Sequence, residues 1–512
     1  MGKFLKQNLL LISVFITGAC VLIVEVVALR VLSPHYGNTI FSVSSVISVI
    51  LAALSIGYYS GGKLADRHPS LQWFFGIILA SGFAVLAFHF LGVVILPVLS
   101  ASLSFTAGPL ITSIILFLFP ALFLGTLSPY AVKLRSLQSP IEGVGSVSGR
   151  IFFWSTLGSI AGSLLAGFVL IPQFGIDRIF IGTGAVLFLL GFISLLILGF
   201  PKKHLVQFLF AIVILALLAF FVAKESYGDV IYTKDGVYEK ITIFDGLYNG
   251  RPTRFFKQDL SSSGAMFLDS IDPTDLVYEY TKYYSVYKIF KPDASNVLVI
   301  GGGAYSIPKA FLGDLPEAMV DVAEIEPSLF DLGKEYFGVK DDPRLSNYIE
   351  DGRRLLKNSN KVYDVIFSDV YYSLFSIPTH FTTKEFFTIA KEKLSEDGIF
   401  MANLIGDLST EEESLIMALM KTFQSVFPNN YLFAIQSPFQ TGAQNIIFVG
   451  YNSDKKIDLN SPEIIQNPNP NIRSLRDHLI NTGNFDLSAH PILTDNFAPV
   501  EYLTAKVLKR TF

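Results

Sequence analysis

The chain has 512 residues, 51% of them hydrophobic and only 16% charged, where soluble domains carry roughly 25% charged residues. Its net charge of −4 is unevenly placed: residues 1–223 hold 11 Lys/Arg against 4 Asp/Glu, and residues 224–512 hold 28 against 39. This implies two regions in different solvents, neither patterned for nucleic acid; the single cysteine, Cys20, excludes a disulfide framework and a cysteine-based metal site.

The first half reads as membrane. A spanning helix needs about 20 apolar residues, and seven stretches qualify, at 8–32, 38–62, 72–97, 107–134, 147–171, 177–199 and 204–223. The third is the least regular, since 71–105 is apolar enough for one span plus an interfacial helix. Lys3, Lys6 and the run to Cys20 loosely resemble a lipoprotein signal, but the apolar run continues through Val26, favouring an uncleaved first span. Glu25 is the one acid deep in a predicted span, either functional or neutralised by Arg30 or a neighbouring hydroxyl. Gly158, Gly162 and Gly167 suit close helix packing. The lysines and arginines gather in alternate connections, on the amino-terminal side. The positive-inside rule then makes that side cytoplasmic and, with seven spans, puts the second half outside.

From Tyr227 to Asp269 short alternating pieces suit a small antiparallel sheet. Residues 224–290 are therefore expected to hold a small β domain and a linking helix, the latter carrying Tyr278, Tyr280, Tyr283, Tyr284 and Tyr287 as a mainly core-facing stripe. Residues 291–512 are expected to form an α/β Rossmann-like domain of the methyltransferase type. Val297-Leu-Val-Ile300 suits a strand buried on both faces, and Gly301-Gly302-Gly303 follows, where a chain turns tightly and its backbone can approach a ligand. Further strands are expected at Ala318–Glu326, Arg344–Asp351, Tyr363–Asp369 and Gly398–Ile405, with helices at Leu329–Phe337 and Thr383–Leu394.

Three acids fall at successive strand ends. Glu324 lies about 20 residues beyond the glycines, where a carboxylate can accept both ribose hydroxyls. Asp351-Gly352 can accept from an exocyclic adenine amine. Asp369 faces the place where nucleotide and second substrate would meet. Together they favour adenosine binding.

At these residues the chain resembles the spermidine synthase (polyamine aminopropyltransferase) family, in its bacterial branch with a multi-spanning amino-terminal half. The matching motifs are Val297–Gly303, Val322–Pro327, Asp342–Arg344, Glu350–Gly352, Tyr363–Asp369 and the Phe386-Phe387 helix. The resemblance implies aminopropyl transfer from decarboxylated S-adenosylmethionine, as a co-substrate and not a tightly bound cofactor, to a small-molecule amine, with no metal. It assigns Gly301, Gly302, Gly303, Glu324, Asp351 and Gly352 to the nucleotide and Asp369 and Tyr278 to catalysis. It also implies a homodimer through the soluble half, a lipid bilayer around the spans, and a cytoplasmic site in the inner membrane, in conflict with the charge pattern. Departures stand at Ala304 and Tyr372, where the family carries aspartates, and at Glu239, where it carries glutamine. His380 could line the altered pocket or be a loop residue without a chemical role. Two other readings remain: a methyltransferase using intact S-adenosylmethionine, and a non-catalytic nucleotide- or polyamine-binding protein associated with transport.

Overall fold

The computed structural model describes residues 3–199, 230–259, 261–371, 377–409, 414–440, 442–454 and 456–511, and isolated positions between 210 and 217. The chain forms two compact units, 1–228 and 229–512.

In the first unit, six helices among the described residues are long and apolar enough to cross a membrane. They are α1 (Lys3–Tyr36), α2 (Ile40–Arg67), α3 (Leu71–Ser102), α4 (Gly108–Gln138), α5 (Val144–Leu165) and α6 (Ile176–Ile197). The expected interfacial helix within 71–105 is absent, because α3 runs unbroken for 32 residues. The expected seventh span, 204–223, falls almost wholly outside the described residues. The helices pair by backbone contact at glycines. A Cβ on Gly158 would lie 2.0 Å from the Phe15 carbonyl oxygen, and one on Gly61 would lie 2.4 Å from that of Thr126. Gly162 acts similarly against Ala19, but Gly167 faces open space and packs nothing. Cys20 is buried in α1 and Glu25 is half-buried there.

The second unit opens with a four-stranded antiparallel sheet of β1 (Val230–Asp235), β2 (Lys240–Tyr248), β3 (Arg251–Gln258) and β4 (Ser261–Phe267). The tyrosine stretch is not one helix but three short turns, at Glu279–Lys282, Tyr283–Val286 and Tyr287–Phe290. Tyr283, Tyr284 and Tyr287 are core, as their spacing implied.

The α/β layer follows as β5 (Asn296–Ile300), α7 (Ser306–Asp314), β6 (Met319–Glu324), α8 (Leu329–Tyr336), β7 (Leu345–Ile349), α9 (Gly352–Asn358), β8 (Tyr363–Ser368), α10 (Lys384–Glu392) and β9 (Leu394–Asp407). It closes with α11 (Leu415–Gln424), β10 (Asn430–Ala434) and β11 (Ala443–Tyr451). The strand order is β10-β11-β9-β8-β5-β6-β7. β5 to β9 are parallel, while β10 and β11 pair antiparallel, so the sheet is mixed. In the central strands Val297–Ile300 and Tyr363–Ser368 nearly every side chain is buried, as expected for strands covered on both faces. Ligands of such sheets bind beyond the strand carboxyl ends, where connections depart in opposite directions from neighbouring strands. Here that point lies between β5 and β8.

Candidate functional site

β5 ends at Ile300, and the next residue must reverse direction beside β8. Gly301 does so at φ +92°, and a Cβ there would sit 2.2 Å from the Asp369 backbone oxygen. The Asp369 N–H donates to the Ile300 carbonyl at 2.9 Å, clasping the two strand ends together. Only glycine meets both demands.

Glu324, the last residue of β6, holds the glycine loop from the other side. Its Oε2 accepts the N–H of Gly302 at 2.7 Å and that of Gly303 at 3.4 Å, while Oε1 accepts the N–H of Glu326 at 2.8 Å. Burial pushes its carboxyl pKa up, against the pull of those three N–H groups. Each oxygen keeps lone-pair capacity for a ligand hydroxyl.

Asp351 is not a strand residue. β7 stops at Ile349, and Asp351 is the N-cap of α9, with Oδ1 accepting the Arg354 N–H at 2.9 Å. Its Oδ2 lies 2.8 Å from Nε2 of His380, so this histidine is a direct partner of the expected adenine-binding acid. Burial raises the Asp351 pKa, but the bonds from His380 and the Arg354 N–H outweigh it and leave it below the ordinary range. Gly352 has no room for a side chain, since a Cβ would meet Ile300 Cγ2 at 2.1 Å.

Asp369 follows β8 directly and is half-buried, lining the pocket. Burial pushes its carboxyl pKa up to about 6, with the Asn403 amide and the Tyr280 hydroxyl resisting by hydrogen-bonding the charged form. The Asn403 amide nitrogen donates to Oδ1 at 2.8 Å. Tyr278 lines the same pocket, its ring stacked on Tyr280 at 6.2 Å between centroids. Burial raises its hydroxyl pKa to about 12, so it is a neutral donor at physiological pH.

The structure thus brings all eight expected site residues to one pocket: Gly301, Gly302, Gly303, Glu324, Asp351, Gly352, Asp369 and Tyr278. It also adds Tyr280, Asn403 and Asn445. Tyr280 was legible only as part of the tyrosine stripe. No local signal marks the asparagines, which reach the site through sheet pairing. Ala304 lines the pocket against Gly264, but Tyr305 does not. At φ +56° it turns inward, fully buried, and its hydroxyl donates to Asn347 of β7. Tyr372 lies outside the described residues. Six carboxylates line the pocket, from Glu239, Glu324, Glu326, Glu350, Asp351 and Asp369. No lysine, arginine or histidine lines it among the described residues. Such a cavity favours a cation.

Residues 284–461 match the spermine/spermidine synthase domain model. The chain carries a spermine/spermidine synthase domain. It is 24% identical over 437 residues to polyamine aminopropyltransferase 2 of Aquifex aeolicus, covering 81% of this chain and 82% of that one. The polyamine aminopropyltransferase of Vibrio vulnificus is 25% identical over 243 residues, 46% of this chain and 78% of the relative. Among solved structures, a probable spermidine synthase from Corynebacterium glutamicum superposes with a TM-score of 0.44 at 20% identity, over 53% of this chain and 99% of that one. The Aquifex match extends well into the helical half, whereas the synthase domain lies wholly within the second unit.

Proposed function

We infer that the protein is a membrane-bound aminopropyltransferase, passing the aminopropyl group of decarboxylated S-adenosylmethionine to an amine. The observation that carries this reading is the pocket's lining, six carboxylates and no cationic side chain among the described residues, with Asp351 met by His380 at 2.8 Å and Glu350 by Arg354 at 3.0 Å from outside it. Decarboxylated S-adenosylmethionine bears a sulfonium and an ammonium, and both are attracted there. Intact S-adenosylmethionine, required by the methyltransferase reading, adds a carboxylate with no cationic side chain in the pocket to meet it.

The roles follow the geometry. Glu324 accepts the ribose hydroxyls while fastening the glycine loop, whose flat backbone lets the nucleotide approach. Asp351 accepts from adenine, oriented by its N-cap bond and by His380. The acceptor nitrogen attacks the carbon next to sulfur; the C–N bond forms, the C–S bond breaks, and its electron pair leaves with methylthioadenosine. Asp369 takes the proton from the attacking amine. With a pKa near 6 it is ionised at neutral pH and more basic than an ordinary aspartate. Tyr278, held neutral, donates toward the reacting centre. Holding both substrates in line supplies the rest of the rate.

The test is release of methylthioadenosine from decarboxylated S-adenosylmethionine by the full-length protein with a panel of primary amines. Asp369→Asn should lower turnover roughly 10²- to 10⁴-fold. Unchanged turnover in that variant rules out the assigned base. Tighter binding of intact than of decarboxylated donor, measured by calorimetry, would favour the methyltransferase. A donor made in the cytoplasm is the ground for assigning the second unit to the cytoplasmic side of an inner membrane.

A further inference from the structure

The contact between Asp351 and His380 joins two elements at the adenine end of the pocket. Asp351 opens α9, and Arg353 lies two residues on, in the first turn of that helix. His380 sits on the short turn Thr379–Phe381 ahead of α10, and its neighbours Pro378 and Phe381 line the pocket.

Arg353 and Asp495 tie these elements together from behind the pocket wall, outside its lining. The Arg353 guanidinium donates to both oxygens of Asp495, at 2.7 and 2.6 Å, and its Nη1 also donates to the His380 carbonyl at 3.0 Å. The hydroxyl of Thr383, the N-cap of α10, donates to Asp495 Oδ1 at 2.8 Å. Asp495 is itself held in a tight turn, where Thr494 and Phe497 exchange both backbone bonds at 3.0 Å. Its N–H donates to Glu385 at 3.1 Å.

A two-pronged arginine–carboxylate pair fixes direction as well as distance, and the Arg353 side chain is only 17% exposed. One guanidinium thereby holds the backbone of His380 while the ring of that residue meets Asp351. Asp495 has a second effect. Without its carboxylate, the Arg353 cation would stand unpaired beside the acid that the adenine amine needs. Resting on the adenine assignment of Asp351 above, we propose that Arg353 and Asp495 are positioning residues for the adenine half of the donor. They hold His380 against Asp351 and keep the guanidinium off the Asp351 carboxylate. The stretch 493–499, far along the chain from the glycine loop, thus completes the nucleotide subsite.

The test compares methylthioadenosine with methylthioinosine, which carries a ring carbonyl where adenine carries its amine, by calorimetry on the full-length protein in detergent. The natural protein is expected to prefer methylthioadenosine. Asp495→Asn keeps the shape and breaks the two-pronged pair; it should weaken methylthioadenosine roughly tenfold and leave methylthioinosine within about twofold. Arg353→Lys, which keeps the charge without the fork, should do the same. The double variant should lose little more than either alone, because the two residues act as one unit. Equal weakening of both nucleosides, or no change in either, overturns the proposal, since a general loosening of the fold does not sense the purine substituent. If the natural protein shows no preference for methylthioadenosine, the adenine assignment falls and the inference with it. If it does and neither variant narrows that preference, only the inference falls.

Discussion

Replacing Asp369 by asparagine should cost activity and increase stability, and the size of the gain follows from its burial. An ordinary aspartyl carboxyl titrates near 3.8, whereas in the folded pocket it titrates near 6. Between those values the native state holds a proton that the unfolded chain has already released. Stability therefore falls as pH rises through that window and stays low above it. At ~1.4 kcal/mol per pH unit, the ionised carboxylate costs the native state about 3 kcal/mol at neutral pH. Asparagine keeps the shape and an oxygen for the Asn403 amide, and it carries no charge to desolvate. Asp369→Asn should then melt several degrees above the natural protein at pH 7, for a unit of this size. The advantage should shrink as pH is lowered and vanish below about pH 4. Thermal unfolding of both proteins in the same detergent, across a pH series, measures it. A variant that is less stable at pH 7, or a gain independent of pH, would refute burial as the source of the raised pKa.

Other outcomes follow from the same geometry. Tyr280→Phe removes a donor to the ionised form of Asp369, so the acidic limb of the kcat/KM profile should move above its midpoint near 6; an unshifted limb would show that the hydroxyl does not stabilise the carboxylate. Gly301→Ala combines a positive φ with a 2.2 Å approach to the Asp369 carbonyl. It should cost at least ~2 kcal/mol of stability and most methylthioadenosine affinity, as read by thermal shift with and without that ligand. Glu324→Gln should weaken donor binding roughly 10- to 100-fold in calorimetry, since one acceptor of charge-assisted hydrogen bonds is lost. A reporter fused after Phe512 should be active on the cytoplasmic side. External activity would mean that 204–223 crosses the bilayer and that this site meets a different donor.

Much of the cradle could be read locally because its parts are consecutive in sequence. A β-branched run, three glycines and an acid at the end of the next strand are short-range signals, and each constrains its own backbone. Asp369 was legible for the same reason, as the polar stop to an apolar strand. The limits were tertiary. Asp351 resembled a strand end, yet it caps α9, because the pairing of β7 with β6 ends two residues earlier, at Ile349. Tyr305 stands two residues after the glycines, and nothing local shows that a left-handed backbone turns its ring under Gly302 and into the core. β10 and β11 were not expected as antiparallel strands, since a short apolar run does not announce its direction.

The amino-acid sequence by itself determined the apolar helical half, the glycine cradle and the acids near the strand ends. Each depends on composition or on spacing within a few tens of residues. Only the folded sheet decided which neutral groups surround Asp369. Asn403 and Asn445 are 42 residues apart and meet because β9 and β11 pair antiparallel. Tyr280 reaches the acid from a turn far before β8. Register and strand order are long-range properties. The hydrogen bonds that hold Asp369 depend on them.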